Sequence, residues 1–232
     1  MFAGFGVATV TSVTLAAIIA LAAICFVVGC GSCCKGRFVP LTLSETSAWL
    51  ARGGDVAIFV EAFAQYPSRA SDPEYLHHSA RAAQVTSGSA VLNVIAVFAG
   101  SAQPACPNLD EQNTCTIYED RPLVCRIYPM EISPFITLKP SEKDCPPESW
   151  SDQAKDLLIA SDGSVSAELS ALIEASRSAD CCDALQKVSI CELLGFNVTA
   201  WKGNGYALYL PERRQLSEAI ERSAATQLQQ LI

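Results

Sequence analysis

Histidine is nearly absent from this chain, at two residues in 232, and basic side chains are in deficit, sixteen against twenty-four acids. Two histidines leave few ways to place a base and an orienting carboxylate beside a nucleophile, which argues against a hydrolase built on such an arrangement. A formal charge of −8 argues against a general nucleic-acid binder, because phosphate recognition needs clustered Lys and Arg. No internal repeat and no low-complexity tract occurs, and no glycine-rich methyl-donor loop follows a strand signal. Half of the residues are apolar, so one or two domains can bury a sizeable core and disorder as the main state is excluded.

Charge is also missing altogether from Met1 to Gly29. The run "VTLAAIIALAAICFVV" is long and apolar enough to fill most of a bilayer core of about 30 Å. It is a candidate transmembrane helix, with a buried core segment or an N-terminal extension as the alternatives. No Lys or Arg precedes the run, which disfavours a secretory signal. Lys35 and Arg37 just beyond it place the remainder in the cytoplasm by the positive-inside rule, tethered to the inner face of the membrane if the segment is an anchor.

What the chain has in abundance is cysteine. There are eleven: Cys25, Cys30, Cys33 and Cys34, then Cys106, Cys115, Cys125 and Cys145, then Cys181, Cys182 and Cys191. A secreted disulfide framework usually shows an even count in a short chain, whereas this one is long, odd-numbered and carries two vicinal pairs that strain geometry keeps from bridging. Metal binding in a reducing compartment is the favoured class, and an exported disulfide protein is the competitor that free-thiol counting would separate.

Three regions follow: the apolar segment 1–29, a cysteine-rich region 30–150, and a mostly helical region 151–232. After "CGSCCKG", Thr42 or Ser44 can cap a helix with Glu45 in its first turn, and Gly53-Gly54 predicts a break into a second short helix through Phe63. Residues 67–89 read as a surface connection and residues 90–98 as a strand. Helices are expected at about 151–160, 165–178 and 212–231, with a hairpin around Gly203-Asn204-Gly205. The segment from Ala105 to Pro147 is loop-rich, with four cysteines and seven prolines, and has little core of its own.

Cys30-x-x-Cys33 lets two thiolates converge on one ion, and Cys34, Cys106, Cys115, Cys125 and Cys145 complete a set of seven thiols drawn from loop-like segments. Soft sulfurs select zinc or iron–sulfur chemistry over magnesium or calcium, and the spacing leaves zinc against an iron–sulfur cluster open. Several thiolates buried together carry a negative charge that needs compensation. Lys35, Arg121 and Arg126 stand beside the cysteines and can supply it, while Pro122 fixes the turn between Cys115 and Cys125. The competing reading of these arginines is surface pairing with Glu119, Asp120 or Glu131.

The strings "CGSCCKG", "PLTLSE", "CPNLDEQNTCTIYEDRPLVCRIYP" and "DCPP" resemble the YkgJ-type cysteine-cluster family, a zinc- or iron-chelating CxxCxxCC domain, over about residues 30 to 147. The resemblance implies a small α+β metal-binding protein, cytoplasmic, with zinc or an iron–sulfur cluster, in a structural or redox-linked role. It implies the ligands Cys30, Cys33, Cys34, Cys106, Cys115, Cys125 and Cys145, with Tyr118, Arg121, Pro122 and Arg126 as motif residues. Val27 stands where the family's leading cysteine would fall, and Cys25 lies two residues earlier. The same motif occurs in proteins similar to flagellin lysine N-methylase, so a component of a protein-modifying enzyme is the alternative function, although Gly203 and Gly205 read as a turn. No catalytic residue and no protein partner is identified. His77-His78 reads as a solvated loop pair, and Cys181, Cys182 and Cys191 as buried structural thiols of a helical region.

Overall fold

The computed structural model describes residues 30–150, 158–160 and 164–230, so the apolar segment 1–29 lies outside the described residues. Among the described residues no helix is long and apolar enough to cross a membrane. The architecture is α+β. In chain order it runs β1 (Lys35–Leu41), α1 (Leu43–Ala51), β2 (Val56–Ala64), α2 (Pro73–Ala80), β3 (Ala83–Ser87), β4 (Ala90–Ala105), α3 (Leu123–Ile127), α4 (Ala167–Leu193), β5 (Ala200–Trp201), β6 (Ala207–Tyr209) and α5 (Arg213–Gln230).

Strand β4 is the spine of a six-stranded sheet. One of its edges pairs antiparallel with β2 over nine residues, from Val56 opposite Gly100 to Ala64 opposite Leu92. Its other edge is shared end to end, β3 pairing with the first part of β4 and β1 with the last, from Leu41 opposite Phe98 to Lys35 opposite Ala105. The free edge of β2 is shared in the same way by β6, antiparallel at Ile58–Val60, and β5, parallel at Glu61–Ala62. The expected hairpin is thus corrected: its two arms do not pair with each other but lie consecutively along β2. Gly203 and Gly205, with φ of 92° and 122°, make the turn between them.

Two other expectations are overturned. Residues 56–64 form β2 rather than a second helix, because a nine-residue apolar run after Gly53-Gly54 suits a central strand buried on both faces as well as it suits a helix. Residues 67–89 hold α2 and β3. Asp72 caps α2 by accepting the N–H groups of Glu74 and Tyr75, Pro73 opens it, and its last turn carries His77 and His78, which are therefore helical rather than in a loop. The strand expected at 90–98 continues to Ala105, and the helix expected at 165–178 continues to Leu193 from its Ser166 cap. Of the helix expected at 151–160, residues 158–160 are not helical and the rest lies outside the described residues.

Alternate residues of the strands, Val39 and Leu41, Val56, Ile58 and Val60, and Val94, Ala96 and Phe98, share one apolar cluster with Trp49 and Leu50 of α1, Val188 and Cys191 of α4, and Leu216 and Ile220 of α5. Residues from the C-terminal region therefore add both strands and helices to the sheet that carries the cysteines. Trp49 lies flat against backbone. A Cβ at Gly100 would fall 2.4 Å from its ring, and the indole N–H donates to the Asp55 carbonyl at 3.1 Å.

Candidate metal centre

Cys30, Cys33 and Cys34 are placed by a tight turn at the start of β1. Gly31 takes φ of 67°, and a single 3-10 turn over Ser32–Cys34 feeds directly into the strand. The β1–β4 ladder then runs one step beyond the sheet: the Cys106 N–H donates to the Cys34 carbonyl at 2.7 Å. Backbone pairing alone thus sets Cys106 beside Cys33 and Cys34.

The chain after Cys106 doubles back on itself. Leu109 bridges to Cys115, the Asp110 carboxylate accepts the N–H groups of Gln112 and Thr114, and Asn113 at the tip takes φ of 60°. This tip presses on the first turn, where a Cβ at Gly31 would come 2.9 Å from Asn113 Cβ, so Gly31 is required by approach as well as by φ. Lys35 Nζ donates to Asn113 Oδ1 at 2.6 Å and fixes the loop in that position.

Cys125 sits in α3, the short helix that Pro122 opens. Arg121 Nε donates to the Tyr118 carbonyl at 2.8 Å, and its guanidinium lies 3.7 Å over the Tyr118 ring. Tyr128, one residue past α3, holds the last cysteine segment. Its hydroxyl accepts the Asp144 N–H at 2.7 Å and lies close enough to the Cys145 thiol to interact with it, while Arg37 lies 5.2 Å over its ring and forms an ion pair with Asp144.

Cys30, Cys33, Cys34, Cys106, Cys115 and Cys125 together line one cavity of about 160 Å³, and Arg37, Tyr118, Arg121 and Tyr128 line it too. Six of the seven expected thiols meet there. Cys145 is buried and reaches the wall through Tyr128. Of the expected cations only Arg121 lines the cavity. Lys35 and Arg126 do not, and Arg37 takes the place anticipated for them. None of the ten described cysteines is in a disulfide.

The electrostatics are those of crowded sulfurs. A hydrogen bond from Cys34, aided by Arg37 and Arg121, lowers Cys33 to about 6, and the same hydrogen bond raises Cys34. Burial, and then the neighbouring Cys33, Cys106 and Cys115, push Cys125 up to about 12, and burial raises Cys106. Cys33 is thus the thiol that ionises readily, while Cys34, Cys106 and Cys125 hold their protons more tightly. Among the described residues no group of three or more Cys, His, Asp or Glu already stands as a set able to hold a metal ion. The donor chemistry fits a thiophilic metal; the sulfurs share a cavity without being closed into a coordination sphere.

The outlying cysteines behave differently. Cys191 is buried in the main core, as expected, but Cys181 and Cys182 are exposed. The inward stripe of α4 runs through Ala184, Val188 and Cys191, and the vicinal pair falls outside it.

A mixed α/β sheet that gathers six thiols on one cavity describes a thiol-based metal-binding protein. The sequence signature CxxCxxCC, described as "Putative zinc- or iron-chelating domain", spans residues 25–146, more than half of the chain, and the chain belongs to that family. Its span includes Cys25 and all seven expected ligands. No curated protein and no solved structure matches the chain.

Proposed function

We propose that the cavity is a thiolate metal centre in which Cys30, Cys33, Cys34, Cys106, Cys115, Cys125 and Cys145 serve as ligands for zinc or an iron–sulfur cluster. The observation that carries this reading is the meeting of thiols from four separate chain segments on one cavity, beside two arginines. Bound there, a metal would supply Lewis acidity or redox capacity and would tie the start of β1, the end of β4 and α3 together. Arg37 and Arg121 would offset the thiolate charge. Tyr128 would hold Cys145 toward the site, since its phenol and the backbone of Asp144 already lock that segment. The role is structural or redox-linked, in a reducing compartment such as the cytoplasm, at the membrane if residues 1–29 anchor the chain.

The test is metal and acid-labile sulfide content, with a visible spectrum, on protein purified without oxygen. Iron with sulfide and a brown colour means a cluster and a redox role; zinc without colour means a structural site. Cys125→Ser loses the metal and Cys181→Ser keeps it. Protein that is metal-free and takes up neither zinc nor iron sinks the proposal.

A further inference from the structure

We infer that Glu45, on α1, is the positioning residue for Cys125, acting as the N-terminal cap that α3 lacks. A short helix leaves its first N–H groups without intrahelical partners, and a capping side chain normally takes one of them. Helix α3 begins after Pro122, which has no capping side chain, and makes no cap of its own. Glu45 supplies one from 78 residues away: its Oε1 accepts the Leu123 N–H at 2.6 Å. The same carboxylate is already committed on its own helix, where Oε2 accepts the Thr42 N–H at 2.8 Å and completes the box that Thr42 Oγ1 makes with the Glu45 N–H. One half-buried side chain therefore joins the first turn of α1 to the first turn of α3.

Cys125 is the third residue of that helix, and its N–H donates to the Pro122 carbonyl at 2.9 Å. With only five residues, α3 gains little from helix propagation, so its orientation depends on contacts outside itself. Val124 and Cys125 pack on the main core cluster, and Cys125 faces the thiol cavity. Releasing Leu123 frees the turn that aims this sulfur.

For its bearing on metal the inference rests on the thiolate-centre reading, so the deciding measurement is made on metal-free protein. The reduced full chain is pulsed with iodoacetamide, and labelling is read peptide by peptide at Cys125 and at Cys191, which is buried in the main core and reports general opening. Glu45→Ala raises the Cys125 rate about tenfold, the scale of losing one hydrogen bond to a charged group, and leaves Cys191 unchanged. Glu45→Gln, which keeps one carbonyl acceptor, falls between. Thr42→Ala weakens the cap of α1 without touching Leu123 and stays at the wild-type rate. The inference is overturned if Cys125 labels equally in Glu45→Ala and wild type, if Cys191 rises alongside it, or if Thr42→Ala gives the same increase. A parallel Co²⁺ titration, followed by thiolate-to-metal absorption, shows affinity reduced about 10- to 100-fold in Glu45→Ala. Failure of the wild type to take up Co²⁺ counts against the metal centre alone, and the labelling ratios still decide the role of Glu45.

Discussion

Removing Lys202 strands a buried charge. Glu61 lies in the middle of β2, 5% exposed, between β4 on one side and β5 on the other. Its carboxylate meets Lys202 Nζ at 2.8 Å, and the Lys202 N–H donates to the Ala62 carbonyl beside it. Breaking a buried pair from one side costs about 3–5 kcal/mol, because the remaining ion keeps its desolvation penalty and loses its partner. Lys202 is itself 27% exposed, which sets Lys202→Met near the lower end, about 3 kcal/mol. For a chain of this size that lowers the melting temperature by roughly 6–12 °C. Thermal or urea unfolding of Lys202→Met measures it. The double variant Glu61→Met/Lys202→Met returns most of the stability, since an apolar pair of similar volume replaces the ions without a desolvation cost. A loss under about 1 kcal/mol in the single variant, or a double variant no better than the single, would refute the reasoning.

Two further outcomes follow from the packing. Gly100→Ala places a methyl 2.4 Å from the Trp49 ring and destabilises by about 1–3 kcal/mol, read as a lower melting temperature with a changed tryptophan emission; an unchanged melt means the indole moves freely. Burial pushes the Cys191 thiol from 9.0 up to about 12. Between those values the folded thiol keeps a proton that the unfolded one has lost. Stability therefore falls as pH rises through this window, by up to about 1.4 kcal/mol per pH unit. Melting curves of Cys191→Ala decline less steeply than those of the wild type over that range, and coincident slopes would count against burial as the cause.

The cysteines were legible because their chemistry is written in residue type: thiols in loop-like segments need no tertiary information to be suspected. Pairing is what the sequence hid. Val56–Ala64 carries apolar residues compatible with either period, and only its position between β4 and the short edge strands makes it a strand. The arms around Gly203-Asn204-Gly205 showed the right turn and the wrong neighbour, since nothing local states that β2 offers both of them a free edge. Arg37 could not be preferred over Lys35 or Arg126 before β1 was known to carry it to the cavity wall. Glu45 was visible in the first turn of a capped helix, yet its second acceptor oxygen found a donor that only the fold brings near. Gly31 was readable in principle, as a glycine between clustered cysteines, but its neighbour Asn113 comes from a distant loop.

The hydrogen bond from Cys106 to the Cys34 carbonyl divides the cavity into two kinds of wall. One wall is an extension of a sheet whose register is fixed along β4, so Cys33, Cys34 and Cys106 stay together whether or not anything occupies the space between them. The other wall is a loop region anchored at points, by Asn113, Tyr118, Glu45 and Tyr128. An ion entering this cavity would meet a template on one side and movable arms on the other. If the proposed metal centre holds, losing that ion would loosen the arms while the sheet register stayed, unlike small metal domains that unfold when stripped.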